Sequence, residues 1–253
     1  MKDLRRVCVA ILLSVTILFS SVIPVYSFGP ITHGYIAEEA QPSVNFDGYH
    51  PDPEIFESGA IVSDVMHFDD TNMHGNPDFW KKMLTMADKN NPEEESFGAS
   101  FICHGESDRV WATFIKPKKE QYRSLLPGWL KWLTGDLGIE GAYKFLFDAY
   151  AVVERGYVPP SCWVLDSELI SKAYKAETGN GLSQAGLSAF SLGLQAVTFV
   201  ETVWIIVTQP LLKLAFSDLM AMGAFNTIKK DFADITGTAA GNTVNAIKQV
   251  RAS

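Results

Sequence analysis

The amino-acid sequence predicts an all-α fold. Three observations carry that expectation. Apolar residues recur at three-and-four spacing, as in Trp80, Met83, Leu84 and Ala87, which places them on one helical face. Alternating runs rich in β-branched residues, the mark of half-buried strands, are scarce. Proline and glycine fall between the periodic segments, where they end one helix and free the chain for the next.

Taken in order, the first helix is expected to start near Thr32, with Tyr35, Ile36, Ala37 and Ala40 on its inner face. Gln41 to Pro53 contains Pro42, Gly48, Pro51 and Pro53 and reads as loop. Glu54 to Val65 reads as a short helix, Asp69 to Pro77 as a polar turn, and Phe79 to Ala87 as an amphipathic helix. Asn90-Asn91-Pro92 stops that helix. Glu93-Glu94-Glu95 opens the next, where acids suit the positive end of the helix dipole, and it runs to about Trp111. Lys116 to Lys119 reads as a basic linker, and Leu125 to Gly156 as helix interrupted at Pro127-Gly128 and Gly135. Pro159-Pro160 breaks the chain, Asp166 to Glu177 is helical, and Gly179-Asn180-Gly181 turns.

Leu182 to Phe216 is strongly apolar. A membrane span wants about twenty predominantly apolar residues. Glu201 and Lys213 interrupt this run, and Pro210 is expected to break it, so buried core helices are favoured over a membrane helix.

The chain has 253 residues, enough for one well-buried domain. Its N-terminus has the three-part layout of a secretory signal. Lys2, Arg5 and Arg6 precede the apolar run Val7 to Ile23, and Val25-Tyr26-Ser27 offers a small residue at the cleavage point. The expectation is a signal peptide over 1–27, cleavage after Ser27, and a secreted or periplasmic domain over 28–253. The alternative is an uncleaved membrane anchor. The formal net charge is −8, and loss of Lys2, Arg5 and Arg6 against Asp3 makes it more negative. Such a surface repels nucleic acid, so a nucleic-acid partner is disfavoured. Of the cysteines that survive cleavage, Cys103 and Cys162 can form a disulfide in an oxidising compartment, or Cys103 can be a buried thiol beside His104.

All five histidines, His33, His50, His67, His74 and His104, lie in the metal-ligand part, 28–114; the helical remainder, 115–253, has none. His104 and Asp108, four residues apart on one helix, share a face and can grip one cation. His33, Asp64 and His74 add ligand types from distant parts of the chain, as hydrolytic zinc sites do. Singly, each has a plain structural reading: a capped surface residue, a helix-end acid, a turn residue.

Four blocks in order resemble the zinc-dependent phospholipase C family, especially the catalytic domain of glycosylphosphatidylinositol-specific phospholipase D; the wider superfamily includes single-strand-specific zinc nucleases. They are Phe28-Gly29-Pro30-Ile31-Thr32-His33, Glu57 to Asp64, His74-Gly75-Asn76-Pro77-Asp78-Phe79, and Phe97-Gly98 through His104 and Asp108 to Trp111. The resemblance implies a multi-helix phospholipase C/nuclease-like domain with a metal site between helices. It implies that Asp64, His74, His104 and Asp108 hold one zinc, and that His33 and Asp108 hold a second together with the α-amine and carbonyl of Phe28, freed by cleavage. His67 is the alternative to His74, and His50 reads as a surface residue. Asp64 and Asp108 are the catalytic candidates, with Asp64 orienting or deprotonating the attacking water.

This chain departs from the family at the third zinc. Ala112 stands where a histidine is expected, and no histidine follows His104. Leaving-group stabilisation then needs another cation, and Arg109 is a candidate whose plainer reading is a solvated surface residue. The apolar patch Leu125, Leu126, Trp129, Leu130, Trp132 and Leu133 suits either a core helix or contact with a membrane surface. Three functions are implied: a phospholipase C-type enzyme acting on phospholipid or another phosphodiester, a zinc nuclease-like enzyme, and a degenerate zinc-binding domain.

Overall fold

The computed structural model describes residues 29–45, 48–68, 72–125, 141, 143–160, 163–221 and 224–253. The signal segment 1–27, Phe28, Cys162 and the patch from Leu126 to Leu133 lie outside the described residues.

The described chain is helical: α1 (Pro30–Val44), α2 (Pro53–Val62), 3-10 turns at Ser63–Phe68 and Met73–Gly75, α3 (Pro77–Met86), α4 (Pro92–Val110), α5 (Lys119–Leu125), α6 (143–153), α7 (Ser167–Thr178), α8 (Gln184–Ala221) and α9 (Ala224–Ala252). Four of these helices begin with proline at their first position, where a missing N–H costs nothing. Side-chain caps precede three of them. Asp52 accepts from Ile55 N (3.0 Å), Asn76 from Asp78 N (2.9 Å), and Asn91 from Glu93 N (3.2 Å). Asp166 caps α7 in the same way, and Gly179 ends it at φ 76, a conformation open to glycine.

Helix α4 is the centre of the bundle. Every residue from Glu95 to Ser107 is buried, because α1, α2, α3 and α9 pack around it. Small residues let the neighbours approach. A Cβ on Gly98 would lie 2.6 Å from the Met83 carbonyl oxygen of α3, and one on Gly105 would enter the Trp80 indole. Phe79, Phe97 and Phe101 fill the space between α3 and α4.

Three elements differ from the sequence reading, the last of them in two respects. Helix α1 runs through Pro42 to Val44, because the proline removes one hydrogen bond in the last turn while Val44 stays buried in the core. Lys116 to Lys119 is not a free linker: a 3-10 turn leads into α5, and Lys118 is pinned by an ion pair to Asp231 of α9 (2.6 Å). Helix α8 continues past Pro210, whose ring faces outward while Leu212 and Phe216 remain buried beyond it. Nor is α8 a core helix on all sides. One face packs on α9, α7 and the Ser63–Phe68 turn, and the other is exposed and apolar.

Candidate metal centre

Four elements around α4 deliver the ligand candidates. Helix α1 supplies His33, the Ser63–Phe68 turn supplies Asp64 and His67, the Met73–Gly75 turn supplies His74, and α4 supplies His104 and Asp108. Local chemistry fixes each of them. His104 Nδ1 bonds the Ala60 carbonyl at 2.7 Å; with the proton there, Nε2 is left as the free donor. The Trp80 indole N–H donates to the His74 carbonyl (2.9 Å), holding the short turn against α3. The His33 and His104 rings stack at 4.0 Å, and the His67 and His74 rings at 3.8 Å.

The donor atoms converge. His74 Nε2 lies 2.8 Å from His104 Nε2, 3.2 Å from Asp64 Oδ1 and 3.3 Å from Asp108 Oδ2. His104 Nε2 lies 3.5 Å from Asp64 Oδ1 and 3.4 Å from Asp108 Oδ2. Ligands at about 2.0–2.1 Å around a tetrahedral zinc stand about 3.3 Å apart, the edge of that tetrahedron. Four of the five spacings, 3.2–3.5 Å, lie near that edge, and the His74–His104 spacing of 2.8 Å is shorter. Asp108 turns its other oxygen to His33, with Oδ1 3.3 Å from His33 Nε2, so one carboxylate serves two histidine groups.

The electrostatics also fit a cation. Burial alone would push Asp64 up, but His104, His74 and His33 together hold it well below the carboxylate range. Asp108 behaves likewise: burial raises it, and His104 and His33 pull it further down. Burial and the neighbouring His104 lower His33, while burial and His74 bring His67 down to about 4. Burial opposes the charging of His104, yet Asp108 and Asp64 draw it up to about 9. Two carboxylates thus attract positive charge into a buried space. Asp64 Oδ2 is buried with no hydrogen-bond partner among the described residues, a further free acceptor. The site reaches solvent past Asp108 (14% exposed), His74 (11%) and His67 (21%), while His33, Asp64 and His104 are sealed.

His33, Asp64, His74, His104 and Asp108 are thus brought together as the sequence suggested. His74 shares close spacings with three partners. His67 also reaches the cluster, with Nε2 3.6 Å from Asp64 Oδ1, and sits behind His74 in a second grouping with it. His50 is exposed, as expected. Phe28, the remaining expected ligand, precedes the first described residue. Arg109 leans away: it pairs with Glu106 at 3.0 Å and lines a groove of about 500 Å³ on the side of α4 opposite His104 and Asp108. Cys103 is a free, buried thiol pushed up to about 12 by burial, and it bonds Thr243 of α9 and Ser107. Ala112 is exposed in the π-turn that follows α4.

One residue near the site escaped the sequence reading. Asp148 of α6 accepts from Thr32 N (2.7 Å) and from the Thr32 hydroxyl, capping α1 one residue before His33. Its other oxygen abuts Gly29 so closely that any Cβ there would collide with it. Burial pushes its carboxyl up to about 7. A lone acid on a helix gives no sequence signal of such a role.

The fold and the site define an all-α domain with a clustered His/Asp site between helices, suited to divalent metal. No protein-family model, curated protein or solved structure matches this chain.

Proposed function

We propose that this chain is an exported, zinc-dependent phosphodiester hydrolase of the phospholipase C type. The observation that carries the proposal is the convergence of donor atoms from Asp64, His74, His104 and Asp108, 2.8–3.5 Å apart in the pairs His74–His104, His74–Asp64, His74–Asp108, His104–Asp64 and His104–Asp108, with Asp108 shared towards His33. Asp64, His74, His104 and Asp108 would hold the first zinc; His33, Asp108 and the freed amine and carbonyl of Phe28 would hold the second. Zinc at such a site supplies an acidified water and neutralises phosphoryl oxygens as charge builds.

The chain's own residues do the rest. The partnerless Oδ2 of Asp64 accepts a proton from, or orients, the attacking water. Asp108 keeps the two histidine groups in register. Burial of His33, Asp64 and His104 excludes bulk water, while the opening at His74, Asp108 and His67 admits a phosphodiester. The net negative charge disfavours nucleic acid as the substrate.

Zinc-loaded protein assayed side by side on a phosphocholine ester, a phosphoinositide and single-stranded DNA tests this reading. Chelator-sensitive hydrolysis of a lipid-type ester is expected. Hydrolysis of DNA alone would make the chain nuclease-like. Inactivity on all three with zinc bound would make it a binding domain, an outcome consistent with the absence of any histidine after His104.

A further inference from the structure

Helix α8 is built inside out. Its inward face repeats at three-and-four spacing through Ser191, Leu194, Thr198, Glu201, Ile205 and Thr208, all buried, and four of these six are polar. Its outward face carries Leu192, Phe199, Val203, Val207, Leu211 and Leu214, with Leu192 65%, Phe199 68% and Val207 71% exposed. Among the exposed positions from 192 to 214, Lys213 alone is polar. Helices of water-facing domains show the reverse arrangement. The most apolar 18-residue stretch within Gln184 to Leu214 has a mean hydropathy of 1.7.

We infer that the outward face of α8 seats in a phospholipid bilayer, with the helix lying in the interface plane. The other face packs along the domain, on α9, α7 and the Ser63–Phe68 turn, so the helix is a flank and not a free span. The apolar face continues for about 33 Å, at 1.5 Å per residue, and is bordered by the half-buried, uncharged Gln195, Thr202 and Gln209. Such a border suits the headgroup level, and Lys213 can reach a lipid phosphate with its long stem.

The inference stands on α8 alone and does not depend on the metal centre.

The full chain, with Cys8 and Cys162 replaced by alanine, is labelled with an environment-sensitive fluorophore at Val207→Cys and, as a control, at the exposed Lys89→Cys. Phosphatidylcholine vesicles are then added. A blue shift and protection from iodide are expected at position 207 and not at position 89. Phe199→Asp, on the same exposed face, is expected to lower the vesicle-bound fraction by roughly tenfold or more. An unchanged spectrum at position 207 with vesicles would overturn the inference. So would a label already shielded without lipid, which would mean that a second copy or the chain's own N-terminal segment covers the face. Retained binding and shielding in Phe199→Asp would overturn it as well.

Discussion

Replacing Asp108 with asparagine removes one negative charge from the point where two ligand groups meet. Asp108 lies 3.3 Å from His33, 3.3 Å from His74 and 3.4 Å from His104. A four-ligand zinc site is worth about 10–16 kcal/mol, so one charged ligand accounts for roughly 3 kcal/mol, or about 100-fold in affinity. At free zinc near 100 times the dissociation constant, the wild-type fold gains about 2.7 kcal/mol. For a domain of this size, that raises the melting temperature by roughly 5–11 °C. At the same free zinc, Asp108→Asn sits near its own dissociation constant and gains about 0.4 kcal/mol, or about 1–2 °C. Scanning calorimetry with and without zinc reads the difference, and each variant is its own reference, so unrelated changes in stability cancel. A zinc-dependent rise in Asp108→Asn equal to that of the wild type would refute the shared-ligand reasoning.

The two neighbouring histidines should separate. His74→Ala is expected to lose zinc measured by mass spectrometry, and His67→Ala to keep most of it, because His74 Nε2 reaches three donors and His67 only Asp64 closely. Gly105→Ala is expected to cost about 1–3 kcal/mol by overpacking against Trp80, read as a lower denaturation midpoint; zinc affinity should fall with it, since Trp80 holds the turn that carries His74. For Asp148 the folded carboxyl is raised from 3.8 to about 7. Between those values the folded chain binds more protons than the unfolded one, so this group's contribution to stability declines as pH rises. Asp148→Asn should therefore gain stability relative to wild type from pH 4 to 7 and level off above; denaturant midpoints across that range check it, and a constant difference would contradict it. Adding a residue before Phe28 should lower zinc content at the second site alone, read by metal titration.

Helix existence was legible in the sequence because spacing and end charges act locally. Glu93-Glu94-Glu95 was read as a start signal from the helix dipole alone; the Asn76 and Asn91 caps that begin α3 and α4 are added by the structure. Pro42 and Pro210 misled for a definite reason. A proline removes one hydrogen bond, and burial of Val44, or of Leu212 and Phe216, outweighs that loss. In α8 the average hydropathy pointed to the core, while the facing pattern, with Thr198 and Glu201 inside and Phe199 and Val207 outside, was the informative feature. At the site, helix geometry put His104 and Asp108 on one face, and their reading as ligands rested on the resemblance and not on that spacing alone. The convergence of His33, Asp64 and His74 depends on how α1 and two short turns pack around α4, which no local spacing encodes. Asp148 was invisible because its partners, Gly29 and Thr32, lie more than a hundred residues away.

The most direct test is an anomalous X-ray map at the zinc edge from crystals of zinc-loaded protein. The account expects a peak about 2.0–2.2 Å from Asp64 Oδ1, His74 Nε2, His104 Nε2 and Asp108 Oδ2, and a second peak on the His33 side of Asp108. A map with no peak among these side chains, or with zinc held elsewhere, would contradict it.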